Sequence, residues 1–99
     1  MPDQQSPAGD GDESSYLKYL EFQRRCFAWC LRVYGGRSES DAIAEAEKFY
    51  EYEPPEKPYR GLVFHDEAWH WAMLQLFGEN YWLTRPELLK PSAEYRAQS

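Results

Sequence analysis

Between Phe64 and Trp82 the chain reads FHDEAWHWAMLQLFGENYW, a stretch holding three of the four tryptophans and both histidines. Its central part is apolar on nearly every side of a helical wheel. A helix without a broad polar face has to be enclosed by other elements, since exposed indoles and leucines would leave a large apolar surface in water. The stretch therefore marks the centre of a fold. With 99 residues there is room for one domain, so the cover must come from the segments on either side.

Those segments read as helices. Tyr19, Phe22, Cys26, Trp29 and Val33 recur at helical spacing, and Tyr16, Leu20, Phe27, Leu31 and Tyr34 form a second stripe beside them. A first helix is expected from Ser15 to Tyr34, stopped by Gly35-Gly36. Its narrow polar face consists of Lys18, Glu21, Arg25 and Arg32. Ser38, with Asp41 three residues on, resembles a capping box and opens a second helix running to Tyr52. Ala42, Ile43, Ala46, Phe49 and Tyr50 line its apolar side. The central helix is expected to start with Asp66 as its cap and Glu67 in its first turn, and to end at Gly78. Pro54, Pro55 and Pro58 make a stiff connector, and Arg60 to Phe64 a short extended piece. Pro86 starts a further short helix that Pro91 limits.

The fold class expected is all-α, a compact three- to four-helix domain over residues 15–90. Residues 1–14 contain four acids, no base and no large apolar side chain beyond Met1, which reads as a disordered acidic tail. Residues 91–99 read as a frayed C-terminal segment. The acidic balance, a net charge of -6, lies mostly in that tail. What remains is segregated. Lys18, Arg24, Arg25, Arg32 and Arg37 oppose only Glu21 over residues 16–37, whereas seven acids oppose only Lys48 over residues 38–56. Opposite signs on neighbouring segments favour an antiparallel hairpin, although each exposed pair adds only about 0–1 kcal/mol.

No apolar run approaches the roughly 18 residues that span a bilayer, and the first residues lack a basic, apolar leader. A cytoplasmic location is expected, with Cys26 and Cys30 as reduced thiols. Nucleic acid is disfavoured as a partner, because the basic stripe is small and lies beside an acidic helix.

Three constellations suggest chemistry. Cys26-x3-Cys30 and His65-x4-His70 fall within the half-spacings of Cys2His2 zinc sites, but 34 residues separate them and the cysteines lie on an apolar face. Glu67-x-x-His70 puts a carboxylate and an imidazole on one helical face. That pair suits either a metal centre shared across a dimer or a general acid-base pair. Pro55-x-x-Pro58-x-Arg60 fits a short polyproline recognition pattern, against the plainer reading of a rigid connector.

The favoured reading is a small non-catalytic interaction or regulatory protein, with no cofactor. It binds an unidentified protein partner through an acidic and aromatic surface made by Glu45, Glu47, Glu51, Tyr52 and Tyr59. A homodimer is also expected, from the excess of apolar surface on the first helix. The alternatives are a metal-binding helical domain and a small enzyme using Glu67 and His70.

Overall fold

A computed structural model describes residues 8–98, with side chains from Glu13 onward. Its helices, in chain order, are α1 (Ala8–Gly35), α2 (Glu39–Phe49), α3 (Ala68–Phe77), α4 (Tyr81–Thr84) and α5 (Ala93–Arg96), with 3-10 turns at Leu62–His65 and Pro86–Leu88. No strand occurs among the described residues, so the fold is all-α as the periodicity predicts. None of these helices is long and apolar enough to cross a membrane.

The spine is α1, and both α2 and α3 pack against it. Phe27, Cys30 and Leu31 of α1 are fully buried, together with Ala42 of α2 and Ala68, Ala72 and Met73 of α3. Trp69 is 2% exposed, and its indole N–H donates to the Leu88 carbonyl at 2.9 Å. The expected enclosure of the tryptophan-rich helix holds on one side only. One side of α3 is fully covered, and Trp71, Leu74, Leu76 and Phe77 pack half-buried around it.

Several boundaries follow the local chemistry. Gly36 adopts the left-handed conformation at φ 70°, which lets its own N–H and that of Arg37 return to the carbonyls of Arg32 and Leu31. The Ser38 hydroxyl accepts from the Asp41 N–H at 3.2 Å and caps α2. Gly78, at φ 86° and ψ 177°, ends α3 in a conformation that is essentially confined to glycine.

Other expectations are corrected. Residues 1–7 of the expected tail lie outside the described residues, and α1 begins at Ala8 rather than Ser15. Tertiary contacts override composition there. The Glu13 carboxylate accepts from the Tyr52 hydroxyl and from Arg60 Nη2, each at 2.6 Å, and the Arg60 guanidinium lies 3.7 Å from the Tyr16 ring centre. The second helix stops at Phe49, not Tyr52. Tyr50 turns into the core, and Arg24 grips its freed carbonyl through Nε at 2.8 Å and Nη2 at 2.6 Å.

Arg60 to Phe64 is not extended. Successive turns, Lys57 N–H to Pro54, Arg60 to Lys57, Leu62 to Tyr59 and Phe64 to Gly61, coil the connector, and the Glu53 carboxylate accepts from the Gly61 N–H. The polyproline pattern is thus neither open nor equipped with a free arginine. The cap of α3 is Glu67, not Asp66, and it makes no side-chain cap bond. The segment 91–98 is not frayed. Ser92 caps α5, and Tyr95, 6% exposed, packs edge to face on both Trp29 and Trp69.

Candidate functional site

The C-terminal half of α1 runs antiparallel to α2, and a cleft of about 420 Å3 opens along their junction. Its floor is apolar. Ala28 and Ala46 are buried there, whereas Trp29 is half-buried and Ile43 remains 46% exposed. Small residues at the helix contact let the backbones approach and leave the larger neighbours on the rim. The walls carry mainly opposite signs: Arg25 and Arg32 on α1, with Glu21 at the open end, and Glu39 and Glu47 on α2, all exposed. Arg24 also lines the cleft, but its guanidinium is committed to the Tyr50 carbonyl. Among the described residues no ion pair joins Arg25 or Arg32 to Glu39 or Glu47.

The five residues expected to form one acidic and aromatic surface are dispersed. Glu45 and Glu47 are two positions apart, so they project from α2 about 200° apart. Glu45 turns toward α3, where it accepts from Arg37 Nε and from the Gln75 amide, both at 2.8 Å. Glu47 faces the cleft. Glu51 is exposed beyond the helix end. The Tyr52 hydroxyl is taken by Glu13, and Tyr59 stands alone, 83% exposed, on a left-handed backbone at φ 60°. Ile43 and the α1 arginines complete the cleft. Their signal was an isoleucine on the flank of an alanine seam, a position that packing leaves at an edge.

A second pocket, about 340 Å3, lies between α3 and α4. There the Tyr81 hydroxyl and His70 Nδ1 share a hydrogen bond of 3.0 Å, and His70 Nε2 lies 3.8 Å from Asp66 Oδ2. Burial, followed by the Asp66 carboxylate, pushes the Tyr81 hydroxyl above its ordinary value, so it stays protonated at neutral pH. Trp82 and Leu89 line the same opening. The expected Glu67–His70 pair is not formed. As the extended cap residue, Glu67 leaves the helical face and binds Arg96 through both oxygens, at 2.8 and 3.3 Å.

The metal candidates are not brought together either. Cys26 and Cys30 are buried in the core, and burial raises both thiols, that of Cys30 to about 12. His65 is exposed, with Nδ1 2.8 Å from the Leu62 carbonyl. Among the described residues no three His, Cys, Asp or Glu side chains form a group able to hold a metal ion. No protein-family model, curated protein or solved structure matches this chain.

Proposed function

We propose that this chain is a small, non-catalytic interaction module that docks a protein partner on the α1–α2 face. One observation carries the reading: a cleft whose apolar floor leaves Ile43 46% exposed, between two charged walls that no ion pair joins among the described residues. An apolar centre supplies contact area, and a charged rim steers and orients the encounter. Glu47 keeps the role expected of it. Glu45 and Tyr52 become structural, and Trp29 and Ile43 take their place. Two unbridged cysteines support a reducing, cytoplasmic setting.

The test is a photo-reactive residue in place of Ile43, activated in cells that express the protein, with the same residue at exposed Lys90 as control. A discrete protein adduct from position 43, absent from position 90 and lost on Glu39→Lys with Glu47→Lys, is expected. Absence of any adduct specific to position 43 overturns the reading.

A second reading, a small enzyme, draws on the His70–Tyr81 hydrogen bond, with Asp66 standing where Glu67 was expected. It requires a turnover that His70→Ala and Asp66→Asn both abolish. A turnover indifferent to His70 removes it.

A further inference from the structure

We infer that the occupant of the α1–α2 face is a second copy of this chain, related to the first by a twofold axis parallel to the two helices. This rests on the docking reading above and names its partner.

The face carries Arg25 and Arg32 on α1, with Glu21 one turn before Arg25 at the open end, and Glu39 and Glu47 on α2, so that the α1 side is basic over the length that α2 flanks. A copy turned about an axis lying in the face along the helices exchanges left for right. Each basic row then meets the acidic row of the other copy. Turned about an axis across the helices, base meets base and acid meets acid. Charge therefore selects one of the two isologous arrangements.

The register agrees. An axis along the helices preserves height, so rows that face each other must match in position and spacing. Arg25 and Arg32 are seven residues apart and Glu39 and Glu47 eight, which at the helical rise gives about 10.5 and about 12 Å. Both rows start at the same end, because the turn between α1 and α2 puts Arg32 and Glu39 on either side of it. At the other end Arg24, in the turn of α1 that carries Arg25, reaches the Tyr50 carbonyl three residues past Glu47, so the two rows end about 5 Å apart in height, within reach of an arginine side chain. Between the rows, Ile43 of one copy falls over Ala28 and Trp29 of the other. The most exposed apolar residue of the floor thus meets the apolar floor of the other copy.

Light scattering of the full chain, at low salt and across roughly a hundredfold range of concentration, tests this by mass action. Twice the 11.7 kDa chain mass is expected at the upper end. Arg25→Glu with Arg32→Glu, and separately Glu39→Lys with Glu47→Lys, should each return the chain to its single mass. An equimolar mixture of the two variants should restore the doubled mass, because every facing row is then complementary again. Three results overturn the inference: a wild-type chain at single mass throughout, a dimer indifferent to both variants, or variants whose mixture stays monomeric. Should either charge variant lose its helical circular dichroism, Ile43→Ser at the same face replaces it, and a dimer that survives Ile43→Ser counts against the inference. A wild-type monomer whose position-43 adduct holds a different protein overturns the second copy and leaves the docking reading standing. A monomer with no adduct removes both.

Discussion

The Tyr95 hydroxyl accepts a hydrogen bond of 3.3 Å from the backbone N–H of Trp69, and the two rings meet edge to face with centroids 5.3 Å apart. Trp69 is the second residue of α3, so its N–H is one of the donors a helix cannot satisfy internally. A side chain from the far end of the chain satisfies it. Tyr95→Phe should cost about 1 kcal/mol, the worth of one hydrogen bond. Tyr95→Ala should cost about 3–5 kcal/mol, since it also empties an aromatic site. Urea unfolding followed by circular dichroism measures both, and equal losses would show that the ring contributes nothing.

Acid should loosen the amino-terminal half of α1. The Tyr52 hydroxyl, then Arg60, holds the Glu13 carboxyl below its ordinary value, and the Gly61 N–H, then Lys57, does the same for Glu53. Because both folded-state values lie below the unfolded ones, the unfolded chain takes up protons first as pH falls. Their stabilisation is complete above the ordinary glutamate value of about 4.3 and is lost as pH drops through the depressed values. The urea midpoint should fall on this acid limb, and fall less in Glu13→Gln with Glu53→Gln. A double variant as acid-sensitive as the parent would contradict the assignment.

Neither cysteine should react in the folded chain. Burial raises both thiols, Cys30 to about 12, so at mildly alkaline pH the nucleophilic thiolate is scarce as well as inaccessible. Colour release from a disulfide reagent should follow global unfolding and become immediate in denaturant. Prompt labelling of the native protein would show that the α1 core opens locally.

Tyr59 combines strain with exposure. A bulky side chain at φ 60° stands against a left-handed backbone cost of about 1–2 kcal/mol, and at 83% exposure it has little packing to offset it. Tyr59→Gly should therefore raise stability by about 1 kcal/mol. An unchanged or lower midpoint would mean that the ring makes contacts worth the strain.

Features specified by neighbouring residues were legible in the amino-acid order: the Ser38 cap, the left-handed Gly36, the Gly78 stop and the buried face of Trp69. Features specified across the chain were not. Tyr95 meets a partner 26 residues away, and Glu67 finds Arg96 rather than His70, three positions along. Helical spacing placed Glu67 beside His70, but a cap residue has extended dihedrals and leaves the face that spacing assumes. Charge pattern identified the acidic character of α2. It did not separate Glu45, consumed by Arg37, from Glu47, because that depends on which side α3 takes.

At 28 residues, α1 extends over about 42 Å of a body 51 Å long, whereas α2 and α3 each cover less than half of that span. One continuous rod is thus clamped by helices at its carboxyl end and by a coiled loop at its amino end. Its amides should exchange with deuterium along a gradient, slowest around Phe27 and fastest before Tyr16, so that a single element contains both the last part of the protein to melt and the first.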